Sequence, residues 1–197
     1  MPKLYIISGC NGSGKTTASY TVLPEMLGCS QFVNSDEFAK SFSPFDPSAA
    51  SIAAGRFMLL KIRYLLGRNE DFCIETTLAT RSLMRTLEEA KARGYTVTLL
   101  YFWLSSPEIA IKRVRARVEA GGHNIPEHVI RRRYDMGLSY FFSDYLPVSD
   151  RWLLIDNSDM KHRIVARGDH DHITVIDSKT YEQIWSAAHP LTSSEPL

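Results

Sequence analysis

Apolar and polar positions alternate along the chain in blocks that predict strands and helices in turn. Short apolar runs bounded by turn-forming residues predict strands, and longer stretches with apolar positions three or four residues apart predict helices. The predicted strands occupy residues 4–7, 31–34, 72–75, 95–104 and 152–155. The predicted helices occupy residues 17–27, 48–66, 80–93, 107–120 and a segment that resumes after position 126. This alternation is typical of a three-layer α/β fold with a parallel sheet and right-handed crossovers.

Several residues support the predicted helix boundaries. Gly28 and Gly94 each follow a predicted helix, where glycine is a common terminator. Thr80 or Ser82 is a candidate cap for the helix that ends near position 93, and Pro107 suits the first turn of the next one. The helix at 48–66 rests on apolar residues at helical spacing, namely Ile52, Phe57, Leu60 and Tyr64.

The last part of the chain, from about residue 161, has a different pattern. It predicts two strands at 164–167 and 173–176 and a helix at 180–188. We interpret it as a hairpin-and-helix appendage. Between the strands, His170 and His172 alternate with acidic residues, so both would lie on one strand face. They could bind a metal, although a polar hairpin tip accounts for them with fewer assumptions.

Composition narrows the class of protein. The chain has 197 residues, 44% of them hydrophobic, which is enough for one sizeable core. The formal charge is +1, from 23 basic and 22 acidic residues, so no overall field favours nucleic acid or a membrane. Cys10, Cys29 and Cys73 are scattered, which indicates reduced thiols in the cytoplasm. We expect no signal peptide, and no apolar run approaches the ~20 residues that span a bilayer.

The most informative stretch follows the first predicted strand. It matches the phosphate-binding pattern GxxxxGK[ST] between a strand and a helix, in the sequence Gly9-Cys10-Asn11-Gly12-Ser13-Gly14-Lys15-Thr16, with Thr17 next. The glycines let backbone N–H groups approach phosphate oxygens closely. Lys15 can reach the terminal phosphates, and the Thr16 hydroxyl can bind Mg²⁺. The sequence therefore predicts a nucleoside triphosphate site.

Two acidic residues stand at the exits of neighbouring predicted strands. In open α/β sheets, ligands bind beyond the carboxyl ends of the strands, so both carboxylates are expected near the phosphate loop. Asp36 could accept the proton of an attacking hydroxyl, or it could simply cap a following helix. Glu75 could orient Mg²⁺ through water or hold a substrate hydroxyl, or it could be a solvated acid at a strand end.

A basic segment offers the charge that phosphoryl transfer requires. Residues 105–133 contain seven Lys and Arg against three Glu, in a helix–Gly-Gly–helix arrangement. Arg113 and Arg117 share one helix face and could close over the phosphates as a lid, whereas Arg115 points elsewhere. A solvated helix face is the alternative. His123, after the glycines, could contact phosphate or substrate, or form a hydrogen bond at a hinge. Arg131, Arg132 and Arg133 are not individually assigned.

Together these residues resemble the zeta-toxin-like kinases, relatives of the small P-loop kinases of metabolites. The resemblance covers about residues 3–158, and its specific part is Asn34-Ser35-Asp36-Glu37-Phe38 and Ile74-Glu75-Thr76-Thr77 at these separations from the phosphate loop. In the better-known zeta toxins, the aspartate that matches Asp36 is the base for a sugar hydroxyl and lid arginines brace the transferred phosphate. Their substrates are ATP and UDP-N-acetylglucosamine, and an antitoxin protein blocks the nucleotide site.

The sequence departs from that family at two points. The acidic residue that holds the substrate in the toxins falls near Leu59, which is apolar, and His123 stands roughly where a second lid arginine is expected. The resemblance therefore implies the fold, ATP use and general base more directly than the sugar-nucleotide substrate. It implies a P-loop kinase domain over residues 1–158, with a lid at about 105–133, and the appendage at 159–197 packed on the same domain.

These observations and the resemblance predict a cytoplasmic, ATP- and Mg²⁺-dependent kinase of a hydroxyl on a small substrate, for which a nucleotide sugar is the candidate. Lys15 and the loop amides bind the phosphates, Thr16 holds the metal, and Asp36 is the base. Arg113 and Arg117 stabilise the transferring charge, while Glu75, Thr77 and His123 contact the substrate. An antitoxin protein is a possible partner, and nucleic acid is not expected. Two alternatives stay open: a polynucleotide 5′-hydroxyl kinase, and a nucleotide-gated binding module or ATPase switch.

Overall fold

The computed structural model describes residues 1–26, 28–159 and 161–189. Its strands are β1 (Lys3–Ser8), β2 (Phe32–Val33), β3 (Phe72–Thr76), β4 (Thr96–Trp103), β5 (Arg151–Asp156), β6 (Arg163–Asp169) and β7 (Ile173–Val175). Its helices are α1 (Lys15–Met26), α2 (Ser35–Phe42), α3 (Ser51–Gly67), α4 (Met84–Ala92), α5 (Pro107–Glu119), α6 (Glu127–Tyr140) and α7 (Ser178–Ala188), with a π-helical turn at Phe141–Tyr145.

Within the described ranges the strands form one seven-stranded sheet in the order β2-β3-β1-β4-β5-β6-β7. The pairings from β2 to β5 are parallel, whereas β6 and β7 pair antiparallel. The carboxyl ends of β2, β3 and β1 therefore meet at one edge of the sheet. This confirms the predicted three-layer α/β fold of the P-loop kinase type, with the hairpin and helix added after β5.

Both faces of the sheet are buried, as the nearly continuous apolar runs of the central strands predict. Side chains of β1 alternate between the two faces. Leu4 and Ile6 belong to a large core cluster with residues of α3, α4 and α6. Tyr5 and Ile7 belong to a second cluster, to which α1 contributes Ala18. Helices thus cover both sides of a strand layer.

The hairpin extends the sheet rather than standing apart from it. Strand β6 pairs with β5 along its length, and β7 then pairs with β6. At the hairpin tip, Nε2 of His170 lies 2.9 Å from Oδ1 of Asp150. No group of His, Cys, Asp and Glu side chains in the described ranges has the arrangement of a metal site. The hydrogen bond to Asp150 accounts for His170 as part of a polar hairpin tip.

Two local predictions need correction, and a third falls on a residue outside the described ranges. Residues 35–42 form α2, the following helix that the sequence offered only as an alternative, and its N-cap is Asn34, whose Oδ1 accepts from the Asp36 N–H at 2.8 Å. Neither Thr80 nor Ser82 caps α4, because this helix begins at Met84, later than predicted, with Leu83 at its N-cap position. The hydroxyls of Thr80 and Ser82 hydrogen-bond to each other at 2.8 Å. The predicted end of the first helix at position 27 lies outside the described residues.

Helix α3 exists as predicted, but its apolar stripe does not face the core. The buried positions are Ala54, Ile62, Leu65 and Leu66. Ile52, Leu60 and Tyr64 are each more than half exposed. The helical spacing of apolar residues therefore identified the helix, although most of those residues do not form its buried face. Separately, none of the helices within the described ranges combines the length and apolar character needed to cross a bilayer.

Candidate active site

The phosphate loop joins β1 to α1, and its backbone can be built only with glycine at several positions. Gly9, Gly12 and Gly14 have φ of 136°, 78° and 88°. A Cβ on Gly9 would lie 2.2 Å from the Phe102 carbonyl oxygen, and one on Gly12 would lie 2.7 Å from the Ala110 carbonyl oxygen. The positive φ angles and the close backbone contacts therefore both require glycine, which is why the sequence pattern identifies this loop.

Lys15 is buried at the start of α1, and its Nζ donates to the Cys10 carbonyl oxygen at 2.7 Å. Burial lowers the pKa of Lys15, while the carboxylates of Glu75 and Asp36 act in the opposite direction. Burial also raises the pKa of the Cys10 thiol to about 11, so this side chain stays uncharged at neutral pH. The interior of the loop therefore contains an ammonium group and no competing anion from Cys10.

Thr16 and Glu75 form the arrangement that a P-loop Mg²⁺ site needs. The Thr16 hydroxyl donates to Oε1 of Glu75 at 2.9 Å, which leaves the lone pairs of the Thr16 oxygen available for a cation. Oε2 of Glu75 is buried and has no hydrogen-bond partner among the described residues. Burial raises the pKa of Glu75, with Lys15 and Thr16 opposing that shift. The oxygen donors fit Mg²⁺, which would relieve the burial of an unpaired carboxylate oxygen.

Other loop side chains contribute in different ways. Ser13 is fully buried, and its Oγ has no hydrogen-bond partner among the described residues. The Asn11 side chain is buried and accepts from the lid. Thr17 is exposed at the third position of α1. The unpaired Ser13 hydroxyl is consistent with a polar ligand in this loop.

Asp36 lies in the first turn of α2, after β2. Because Asn34 caps that helix, the structure does not support the alternative in which Asp36 is the cap. The Asp36 carboxylate is exposed, yet it is close enough to affect the pKa of Lys15, Glu75 and Arg133. The structure therefore brings Asp36 and Lys15 to the same edge of the sheet.

The two lid arginines predicted from the sequence have local partners. Arg113 donates to the Ser158 carbonyl oxygen at 3.0 Å, on the loop after β5. Arg117 donates to the His123 carbonyl oxygen at 2.9 Å and is close enough to Lys15 to disfavour its charged form. Arg115 points away, as predicted, and pairs with Glu127. Arg117 therefore hydrogen-bonds within the lid segment and also lies close enough to the phosphate loop for its charge to act on Lys15.

Sequence reasoning did not single out Arg133, which the structure brings to the loop. The Nη1 atom of Arg133 donates to Oδ1 of Asn11 at 2.9 Å. Burial lowers the pKa of Arg133, and Asp36 opposes that shift. A signal was available, because Arg133 falls between the buried Ile130 and Gly137 at helical spacing and so lies on the inner face of α6.

Thr77 and His123 lie in loops that pack on α6 and α5, respectively. A Cβ on Gly137 would lie 2.5 Å from the Thr77 carbonyl oxygen, so the loop after β3 packs directly on α6. That loop contains Leu78, a buried non-glycine residue at φ 54°. Such a conformation is costly, and strained residues of this kind cluster at functional sites. The half-buried His123 contributes its carbonyl oxygen to the bond with Arg117.

Comparison with known proteins gives a consistent result. The sequence model of the family described as Zeta toxin matches residues 1–139. A Haemophilus influenzae protein, described as uncharacterized, is 32% identical over 133 residues, which cover 67% of this chain and 92% of that protein.

Solved structures share the fold. A chain of the AvrRxo1-ORF1:AvrRxo1-ORF2 crystal structure with sulphate ions matches with a TM-score of 0.74 at 20% identity, over 99% of this chain and 66% of that one. A chain of the same pair in its crystal structure with ATP matches with a TM-score of 0.71 at 19% identity, over 100% of this chain and 67% of that one. A chain of the Streptococcus pneumoniae PezAT toxin–antitoxin system matches with a TM-score of 0.68 at 17% identity, over 95% of this chain and 78% of that one.

A more distant match is to the Pnkp1/Rnl/Hen1 RNA repair complex, with a TM-score of 0.56 at 25% identity, over 68% of this chain and 43% of that one. The present chain thus spans about two thirds of the AvrRxo1 chain and less than half of the RNA repair protein. Because the family model covers well over half of the sequence, including the phosphate loop and the segments around Asp36 and Glu75, this protein is a member of the zeta toxin family.

Proposed function

We propose that this protein is an ATP- and Mg²⁺-dependent kinase that phosphorylates a hydroxyl group of a small substrate, which its family makes a candidate nucleotide sugar. The observation that carries the proposal is the convergence of Lys15, Asp36 and Arg133 at one edge of the sheet, beside the phosphate loop. Phosphoryl transfer needs positive charge around the phosphates and a base for the attacking hydroxyl, and these side chains supply both.

The proposed reaction proceeds in line. The loop amides and Lys15 hold the phosphates of ATP. The substrate hydroxyl oxygen attacks the γ-phosphorus, the bond to the bridging oxygen breaks, and ADP leaves. Asp36 accepts the hydroxyl proton. Arg133 and Arg117 stabilise the negative charge of the transferred group.

Thr16 and Glu75 are the residues that would hold Mg²⁺. When bound, the metal ion neutralises charge on the phosphate oxygens. Its proposed ligands are the Thr16 hydroxyl and, directly or through water, the Glu75 carboxylate. Thr77 and the region around His123 would border the acceptor. Arg113, which donates a hydrogen bond to the loop after β5, would support the lid on that side.

The proposal includes the domain boundaries, the cellular compartment and a protein partner. Residues 1–158 would form the kinase domain, with the lid at about 105–133 and the appendage at 159–197 packed on it. Cys10, Cys29 and Cys73 are buried and unpaired, which fits the reducing cytoplasm. Because AvrRxo1-ORF1 is paired with ORF2 and PezAT is a toxin–antitoxin system, a protein that covers the nucleotide site is a reasonable partner.

Incubation with γ-labelled ATP and a metabolite extract tests the proposal. The expected result is label on a small hydroxyl-containing compound, identified by mass, that Lys15→Ala does not produce. ATP hydrolysis with no labelled acceptor would contradict the kinase assignment and favour an ATPase switch.

A polynucleotide 5′-hydroxyl kinase is the second candidate, favoured by the similarity to the RNA repair complex. Label on a 5′-hydroxyl oligonucleotide, with binding that weakens steeply as salt increases, would support it. Label confined to small metabolites would exclude it.

A further inference from the structure

A chain of two hydrogen bonds links the start of the C-terminal appendage to the phosphate loop. Asn157 directly follows β5, and its side chain is buried. Its Nδ2 donates to the Ser13 carbonyl oxygen at 2.7 Å. Its Oδ1 lies 2.5 Å from Nδ1 of His162, which immediately precedes β6. The appendage therefore reaches the nucleotide site through a single side chain.

The polarity of this chain is fixed by chemistry. The Ser13 carbonyl oxygen can only accept, so the nitrogen of the Asn157 amide must face it. The oxygen of that amide then faces His162, whose Nδ1 must carry a proton to donate. His162 thereby holds the Asn157 amide in the orientation that the loop requires. With the amide flipped, two oxygens would face each other.

The bond to Ser13 acts on the group that contacts a phosphate. The Ser13 carbonyl and the Gly14 N–H belong to one planar trans peptide unit, so they point in opposite directions. Because the Ser13 carbonyl points toward Asn157, the Gly14 N–H points away from Asn157. Gly14 also leaves the space for this contact, because a Cβ there would lie 2.4 Å from Nδ2 of Asn157.

We propose that Asn157 and His162 are positioning residues for nucleotide binding, because they fix the Ser13–Gly14 peptide so that the Gly14 N–H is preset to bind a phosphate oxygen. The appendage thus completes the phosphate site. The inference rests on the proposed function only in requiring that the loop bind a nucleoside triphosphate, and it holds whichever acceptor is used.

His162 can be changed without removing the other supports of this region. The side chain is exposed, and its ring meets Phe102 edge-on with centroids 6.1 Å apart. The neighbouring Asp156 is held independently by Arg163, at 2.7 Å. Loss of the imidazole should therefore leave the thermal midpoint nearly unchanged, so that an effect on ligand binding reflects positioning.

The test is calorimetric titration of the full chain with Mg²⁺ and ATP. His162→Ala is expected to bind about fivefold to tenfold more weakly, and Asn157→Ala at least as weakly, since one hydrogen bond contributes about 1 kcal/mol. His162→Asn, whose amide nitrogen takes the place of Nδ1, should restore most of the affinity. The matched control is His170→Ala, which removes another exposed histidine of the appendage and should bind like wild type.

A double-mutant cycle supplies the decisive comparison. If His162 acts through Asn157, adding His162→Ala to Asn157→Ala should cost no further affinity. Affinity of His162→Ala within twofold of wild type, or losses that simply add, would overturn the inference while leaving the kinase proposal intact. Wild-type protein that binds no nucleoside triphosphate would overturn both. If Asn157→Ala fails to fold, the comparison of His162→Ala, His162→Asn and His170→Ala still decides.

Discussion

The phosphate loop and the proposed lid, formed by α5 and α6, are built in different ways. The loop is held by its own backbone and by the hydrogen bond from Asn157 to Ser13, with Lys15 buried and three glycines in conformations that other residues rarely adopt. The lid consists of two helices, and its arginines make bonds with nearby carbonyl oxygens and carboxylates that a ligand could replace. In the proposed function, phosphate binding is therefore preorganised, whereas the charge that stabilises the transition state would be gathered on closure.

The loop side of this comparison predicts the largest effect. Lys15→Ala removes a buried charge, so ATP binding should weaken about a hundredfold, the scale of a hydrogen bond to a charged group. Loss of transition-state stabilisation should add a similar factor, which makes transfer roughly 10⁴-fold slower at low ATP. Lys112→Ala, an exposed lysine on α5, is the control. Normal turnover by Lys15→Ala would mean that the loop is not the catalytic phosphate site.

Asp36→Asn separates chemistry from binding. The amide keeps the shape of the side chain but cannot accept the hydroxyl proton, so we expect ATP affinity near wild type and transfer about 10³-fold slower. Calorimetry gives the affinity, and single-turnover transfer of label gives the rate. Equal rates for the variant and the wild type would remove Asp36 as the base.

Arg133→Ala tests the lid side. Because Arg133 bonds to Asn11 and faces Asp36, its loss should slow transfer by about a hundredfold, the typical cost of one donor at a developing charge. Arg131→Ala, two positions away and bonded to Glu108, is the matched control and should change turnover less than about threefold. Similar losses in both variants would indicate a general effect of lid charge.

Glu75→Gln should give the smallest effect, on stability. Burial raises the pKa of Glu75, so above about pH 4.3, where an unfolded glutamate ionises, the folded protein holds the proton more tightly than the unfolded chain. That contribution to stability is lost as the pH rises toward the folded pKa, and the variant does not have it. Its free energy of unfolding should therefore increase relative to wild type as the pH rises from about 4 to 7.

Urea denaturation of the ligand-free protein at several pH values measures this difference. Glu88→Gln removes an exposed carboxylate on α4 and serves as the control. A difference between Glu75→Gln and wild type that does not change with pH would show that burial does not govern the ionisation of Glu75.

The same contrast explains what the sequence could predict. The phosphate loop could be predicted because its conformation requires particular residue types at fixed spacing. The order of strands and helices could be predicted from the periodicity of apolar residues. The positions of Asp36 and Glu75 at one edge followed from a general rule for parallel sheets. These features are local, or they depend only on the fold class.

Features that depend on how helices rotate were not predictable in the same way. Three consecutive arginines do not by themselves identify Arg133. Its helical spacing from Ile130 and Gly137 indicates the inner face of α6, but not that this face meets the phosphate loop. The spacing of Ile52, Leu60 and Tyr64 made α3 recognisable, but these residues are exposed and do not mark its inner face. The bond between Asn157 and Ser13 joins residues far apart in the chain, and no spacing rule anticipates it.

The most direct test of the central claim is a crystal structure with Mg²⁺ and a non-hydrolysable ATP analogue. The account predicts the triphosphate in the phosphate loop, with the Asp36 carboxylate about 6 Å or less from the γ-phosphorus, the distance that one attacking hydroxyl can bridge. A triphosphate bound elsewhere, or an Asp36 carboxylate turned away from the γ-phosphate with the lid closed, would contradict it.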